Sequence, residues 1–140
     1  MMIELRTLIF PSLVTVLTLI LYFILTLNVG RARVKYKVPV PQTFGDADFE
    51  RVFRVQQNTL EQLILFLPSL WLFALFVSPI WGAGIGGVWI IGRILYAWGY
   101  YQAAEKRMIG FVINVFSILV LLLGSLVGII IALTTYSTSV

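Results

Sequence analysis

The chain has no cysteine and no histidine. Without cysteine there is no disulfide framework and no protein thiol nucleophile. Without histidine there is no imidazole base, and together the two absences remove the usual soft-metal ligands. Thiol or redox chemistry therefore has to arrive with a cofactor. Charge is also scarce: Asp, Glu, Lys and Arg make up 11% of the 140 residues, against 60% hydrophobic residues and a mean hydropathy of +0.99. A soluble globular domain carries about 25% charged residues, so this balance predicts an integral membrane protein. The formal net charge is +4. Its basic residues sit at the ends of apolar runs, which reads as membrane topology and anion binding and not as a nucleic-acid surface.

Taken in order, the apolar runs predict four spans. The first, about 7–27, is long enough at about 1.5 Å per residue to cross a hydrocarbon core of about 30 Å. No A-x-A-like cleavage site closes the uncharged run from Thr7 to Gly30, and basic residues follow it, so a retained span is expected and not a signal peptide. Pro11 falls in its first turns, where proline is tolerated. The basic run Arg31-Ala-Arg33-Val-Lys35-Tyr36-Lys37 has the bland meaning of a headgroup anchor. The segment 28–50 reads as a cytoplasmic loop, with Pro39, Pro41 and Gly45 punctuating its Val38-to-Asp48 part. From Gln62 to Gly92 the sequence is uncharged and too long for one span. The break at Ser78-Pro79-Ile80-Trp81-Gly82 divides it into spans of about 53–77 and 84–104, with Pro68 inside the first of these. A fourth span of about 109–133 follows Glu105-Lys106-Arg107. Gly82 with Gly86, and Gly124 with Gly128, form small-xxx-small patterns that let helices approach closely. Trp71, Trp81, Trp89 and Trp98 are assigned to packing or to the interfacial belt. The basic loops after the first and third spans are expected to face the cytoplasm, with both termini opposite.

Two polar stripes interrupt this apolar background. Arg51, Arg54, Asn58 and Glu61 recur at i, i+3, i+7 and i+10, one face of a helix that runs straight into Leu63-Ile64-Leu65-Phe66-Leu67. Arg93, Tyr96, Tyr100 and Arg107 recur at i, i+3, i+7 and i+14 and read as one face of the third helix. Ionisable groups at membrane depth cost several kcal/mol unless paired or hydrated, so such faces predict a polar cleft between helices with a charged occupant. Taken singly, Tyr96 and Tyr100 are ordinary belt residues, and Lys106 with Arg107 an ordinary headgroup anchor. Interhelical ion pairs gluing subunits together are a further reading of the same stripes.

The phrase Phe49-Glu50-Arg51-Val52-Phe53-Arg54-Val55-Gln56-Gln57-Asn58-Thr59-Leu60-Glu61, with Arg93-Ile-Leu-Tyr96-Ala-Trp-Gly99-Tyr100 and then Arg107, resembles the signatures of the membrane-associated proteins in eicosanoid and glutathione metabolism, the MAPEG family. The pattern is most similar to its microsomal glutathione transferases and leukotriene C synthase-type members. The resemblance implies an all-α membrane protein, a left-handed bundle of four transmembrane helices that assembles as a homotrimer, with the chain 1–140 as a single domain. It also implies active sites between adjacent subunits near the cytoplasmic membrane face. Carried over residue by residue, Arg33, Arg54, Gln56, Asn58, Glu61, Arg93, Tyr96 and Tyr100 would hold glutathione as co-substrate, and Arg107 would stabilise its thiolate as the catalytic group. Arg51 resembles a supporting member. Gln62 stands where the leukotriene-type members often carry tyrosine, a departure that alters that residue's contact to the tripeptide. No metal is implied.

The residue types also suit glutathione by their own chemistry. Its two carboxylates match the guanidinium forks of Arg54, Arg93 and Arg33, its ammonium matches Glu61, and its peptide groups match Gln56 and Asn58. A free thiol with a pKa of about 8.5 is about 3% ionised at pH 7, and a guanidinium beside the sulfur lowers that pKa by about one to three units. The expectation is a membrane glutathione transferase, with or without glutathione peroxidase activity, acting on apolar electrophiles or lipid hydroperoxides. The rivals are a non-catalytic lipid-binding scaffold of the same fold, a glutathione-dependent isomerase of the prostaglandin E synthase kind, and a small transporter subunit or structural membrane protein. The tail Tyr136-Ser-Thr-Ser-Val140 carries no retention signal, which favours a bacterial inner membrane over the endoplasmic reticulum.

Overall fold

The structure, a computed structural model, describes residues 4–138. Met1 to Ile3, and the Ser139 and Val140 of the tail, lie outside the described residues. Among the described residues there are four α-helices, α1 (Ile9–Tyr36), α2 (Ala47–Phe76), α3 (Pro79–Gln102) and α4 (Met108–Thr138), with 3-10 turns at Leu5–Leu8 and Ala104–Arg107. All four are long and apolar enough to cross a membrane. The protein is an all-α integral membrane protein. Short connections make sequential helices antiparallel, so the C-terminal ends of α1 and α3 meet the N-terminal ends of α2 and α4. Arg31, Arg33, Lys35, Lys37, Arg51, Arg54, Lys106 and Arg107 thus collect at one end of the bundle.

The helices overrun the apolar segments, and local chemistry explains each boundary. α1 does not stop near residue 27 but continues through the basic run to Tyr36, because Arg and Lys are good helix formers and favour a helix C-terminus. It ends where Lys37 turns left-handed (φ 57°) and the Lys37 and Val38 N–H groups return to the Arg33 carbonyl. α2 begins at Ala47 and not near 53. The Asp46 carboxylate accepts from the Asp48 and Phe49 N–H groups at 2.9 and 3.0 Å, and Asp48 and Glu50 complement the helix dipole. The turn between α2 and α3 is only Val77-Ser78. Ser78 caps α3 by accepting from the Trp81 N–H, and Pro79 fills the first helical position, so Pro79 to Gly82 are helix and not turn. At the other end of α3, Ala103 is extended, which stops the helix at Gln102.

The core lies among α1, α2, α3 and α4. Phe66 stacks on Trp89 with ring centroids 4.0 Å apart and planes within 5°, surrounded by Val14, Leu63, Leu70, Phe73, Ile118 and Leu121. Lipid tails solvate leucine as well as a protein core does, so helix association depends on close packing. The glycines supply it. A Cβ on Gly86 would meet Val14 at 2.7 Å, and one on Gly128 would meet the Phe76 carbonyl at 2.7 Å. The tightest seam joins α3 to α4, where a Cβ on Gly110 would drive into the backbone of Gly92 and Tyr96. This seam matters for function, because Arg93 and Tyr96 stand on that stretch of α3. Trp89 is a core residue, whereas Trp81 and Trp98 are exposed on the outer face.

Candidate functional site

At the basic end, α2, α3 and the start of α4 enclose a cavity of about 190 Å³ lined by Asn58, Glu61, Gln62, Arg93, Tyr96, Arg107 and Phe111. The i, i+3, i+4 spacing of the α2 residues turns all three toward α3. Asn58 Nδ2 donates to Tyr96 Oη at 2.6 Å, tying the two helices across the mouth. Arg93 is 1% exposed, and its guanidinium lies 4.4 Å from the Tyr96 ring centroid and 5.3 Å from that of Trp89. The ring faces offset part of its charge. Its Nε has no hydrogen-bond partner, and among the described residues no carboxylate pairs with it. A buried cation without a counter-charge is costly, so this arrangement suits an anionic or strongly accepting ligand.

Arg107 lies with its guanidinium 5.1 Å from the Tyr100 ring centroid, and Tyr100 meets Tyr96 edge to face at 5.6 Å. Two cations therefore flank an aromatic pair. The spacing in the sequence predicts Arg107 on the same face of the third helix as Arg93, and the structure corrects this. α3 ends five residues earlier, and Arg107 reaches the cleft from the 3-10 turn that leads into α4. The approach of that turn to α3 depends on Gly99, whose Cα hydrogen faces the Lys106 carbonyl where a side chain would collide.

A second cavity of about 460 Å³ opens beside the first, lined by Thr43, Phe44, Ala47, Glu50, Arg51, Arg54, Tyr100 and Ala104. Arg51 pairs with Asp48 and donates from Nε to the Tyr101 carbonyl at 3.4 Å, fixing α2 to the end of α3. Arg54 is exposed and has no hydrogen-bond or ion-pair partner among the described residues. Tyr100 in the lining of this second cavity packs against Tyr96 and Arg107 in the lining of the first, so the two adjoin as a trough running from Arg54 to Arg93.

Two predicted site residues are not brought to this trough. Gln56 points toward α1, where Nε2 donates to Tyr22 Oη at 2.8 Å and Oε1 accepts from Gln57 at 2.9 Å. Arg33 donates to the Gln42 and Pro39 carbonyls at 2.6 and 3.4 Å and lies over the Phe49 ring, pinning the loop before α2. α2 therefore carries polar groups on two faces, one toward the trough and one toward α1. Several contributors were not anticipated. Tyr22 and the Asn28–Tyr101 pair at 3.3 Å leave no trace in local periodicity. Asn114 did leave one, as the lone amide in an uncharged span. It is fully buried and donates to the Trp89 carbonyl at 2.7 Å, bracing the turn of α3 that bears Arg93.

The fold and trough define a polytopic helical membrane protein with a cationic cleft at one membrane face. The chain belongs to the MAPEG family, whose family model matches residues 11–127. It is 58% identical over 122 residues to an uncharacterized protein of Synechocystis sp., covering 87% of this chain and 89% of the relative. It is 47% identical over 85 residues to human microsomal glutathione S-transferase 2, covering 61% of this chain and 58% of that protein. To the leukotriene C4 synthase of Cavia porcellus it is 38% identical over 95 residues, covering 68% of this chain and 63% of the synthase. The match spans less than two thirds of the length of each of these two mammalian relatives.

Proposed function

We infer that the protein is a membrane glutathione transferase that activates the glutathione thiolate and adds it to apolar electrophiles dissolved in the bilayer. The observation that carries this reading is the buried Arg93, which no carboxylate among the described residues pairs, in one cavity with Asn58, Glu61, Tyr96 and Arg107. The names of the mammalian relatives support it. In this reading Arg54 and Arg93 take the two carboxylates of the tripeptide, Glu61 its ammonium, Asn58 a peptide group, and Tyr96 and Tyr100 line the bed. Arg107 faces the sulfur and holds it as thiolate. The thiolate attacks the electrophilic carbon, a C–S bond forms, and the leaving group departs or the adjacent carbon takes a proton from water. Lipid hydroperoxides are the alternative second substrate.

The site is completed between copies in a homotrimer. Supporting this is the placement of the polar groups: Arg33 on α1 and Gln56 on the α1 side of α2 lie away from the trough, two unlike faces of the kind that a closed heterologous ring joins. The basic end faces the cytoplasm of a bacterial inner membrane, in keeping with the positive-inside rule and the Synechocystis relative. The test is glutathione binding to detergent-purified protein, followed by the ultraviolet absorbance of the thiolate. A thiolate signal at neutral pH supports the reading. No binding at millimolar glutathione would sink it and leave the lipid-binding scaffold.

A further inference from the structure

Arg33 is used by the loop before α2, but its neighbours in the basic run are not. Arg31 and Lys35, each two residues away, stand on the opposite side of α1, and both are exposed. Among the described residues no carboxylate pairs with either. The acids of the loop and of the first turn of α2 are engaged elsewhere: Asp46 caps α2, Asp48 pairs with Arg51, and Glu50 accepts from the Gly45 N–H. Arg31 is nevertheless held in place. Its Nη1 donates to Asn28 Oδ1 at 3.3 Å, and Asn28 Nδ2 donates to Tyr101 Oη at 3.3 Å, so the cation is anchored to α3 and its other guanidinium N–H groups face outward without a partner among the described residues.

The same side of α1 is apolar below these cations. Ile20, Ile24 and Leu27 at i, i+4 and i+7 lead into Arg31, Val34 and Lys35 at i+11, i+14 and i+15, and all six are exposed. One stripe therefore runs from acyl-chain depth into two cations, with Val34, 82% exposed, between them. Asn28 marks the level of Tyr101, one residue from the end of α3, and the exposed Trp98 a turn below marks the membrane interface. At about 1.5 Å per residue, Arg31 and Lys35 rise about 5 and 10 Å above Asn28, against a headgroup layer about 5–8 Å thick. Helical side chains lean toward the N-terminus, which for α1 is into the membrane, so both cations lean back toward the lipid. A phosphodiester above an acyl chain has this layout. A free phosphate would use the cations and leave Val34 and the stripe without a role, and a zwitterionic lipid brings an ammonium that the two cations repel.

We propose that Arg31 and Lys35 form a binding site for an anionic phospholipid, the phosphate held by the two cations and one acyl chain lying along Leu27, Ile24 and Ile20. The guanidinium fork takes two phosphate oxygens, and the ammonium adds a point charge. Neither residue lines the trough, so the site stands independently of the glutathione reading.

The test is lipid binding to the detergent-purified protein, read by native mass spectrometry as dissociation constants for phosphatidylglycerol and phosphatidylcholine, with inorganic phosphate as competitor. One cation beside an anionic lipid is worth about a factor of five in affinity, so wild type should prefer phosphatidylglycerol by about tenfold or more. Lys35 lies against the Tyr36 ring and makes no hydrogen bond or ion pair among the described residues. Lys35→Gln should therefore keep the fold and lose about fivefold in phosphatidylglycerol affinity, and the double variant Arg31→Gln, Lys35→Gln about thirtyfold, with phosphatidylcholine binding unchanged. Lys106→Gln removes a cation at the same end but off the stripe, and should leave both affinities as they are. If the double variant fails to fold, Lys35→Gln decides alone. Equal affinity of the wild type for the two lipids would overturn the proposal. So would an equal loss in Lys106→Gln, which would mean a diffuse cationic field and no site. Displacement of phosphatidylglycerol by millimolar inorganic phosphate would also overturn it, making the ligand a free anion.

Discussion

Arg107 is the residue on which thiol activation turns, and its environment makes a sharp expectation. It sits in a 3-10 turn at the mouth of the trough, half-buried against Tyr100, with no acidic partner among the described residues to neutralise it. A cation held this way lowers the pKa of an adjacent thiol from about 8.5 by about one to three units. Wild-type conjugation should therefore be flat with pH above the lowered value and fall only below it. Arg107→Ala should shift the inflection back toward about 8.5 and reduce the rate at neutral pH by about tenfold to thirtyfold, with glutathione binding retained. The thiolate absorbance and the pH profile read this directly, and unchanged turnover would remove Arg107 from the mechanism. Tyr96 invites a milder test. Tyr96→Phe leaves Asn58 Nδ2 without its acceptor, which costs about 1 kcal/mol in a partly buried setting. The expected signs are a lowered midpoint of denaturation in detergent and a raised KM for glutathione, with kcat less affected. A kcat effect larger than the KM effect would mean that the Tyr96 hydroxyl acts in the chemistry and not in shaping the bed.

Among the elements, the α3–α4 seam decides whether these residues meet. Gly92 and Gly110 let the two backbones touch beneath Arg93 and Tyr96, and Asn114 locks the contact by donating to the Trp89 carbonyl. Gly110→Ala has to push α4 off α3, because the added carbon meets backbone and not a flexible side chain. We expect it to destabilise the bundle and abolish the thiolate signal. Gly84→Ala, on the same helix as Gly92 but with nothing within 4 Å, should instead be neutral or stabilising by up to about 1 kcal/mol, the helix-propensity difference. Thermal unfolding in detergent of the two variants separates the seam from a generic glycine effect; equal behaviour would show that the seam carries no such constraint. The same elements mark how far the sequence could be read. The Arg51-to-Glu61 stripe was legible because both ends lie on one unbroken helix, where a 3.6-residue period has meaning. The Arg93-to-Arg107 stripe was only half legible: Arg93, Tyr96 and Tyr100 share α3, but Ala103 breaks the helix, and Arg107 arrives by a turn that the same spacing mimics. The extension of α1 to Tyr36 is not legible in the apolar pattern, because the basic run 31–37 ends the membrane contact and not the helix. Tyr22 against Gln56 and Asn28 against Tyr101 join distant stretches of chain, and no local pattern encodes such pairs.

For the molecule as a whole, the two polar faces of α2 pose the assembly question. In one copy the trough gathers Arg54, Asn58, Glu61, Arg93, Tyr96, Tyr100 and Arg107, while Gln56 turns to Tyr22 and Arg33 to the loop before α2. If Arg33 and Gln56 serve glutathione, they serve it in a neighbour's trough, and the interface is heterologous, with unlike faces meeting around a closed ring. Such a ring makes a complementation experiment decisive. Arg107→Ala damages the trough face, and Gln56→Leu damages the α1 face; each homogeneous assembly should be impaired. Mixed in equal amounts during expression, the two variants form interfaces at random. About a quarter of the sites then pair an intact trough with an intact neighbouring face, the product of two even chances at a heterologous contact. Recovery to about that fraction of wild-type conjugation, in a particle whose mass in detergent equals three chains, would fit a shared site. Activity no higher than the mean of the two single variants would mean that each trough works alone, and that Gln56 is a strut between α2 and α1.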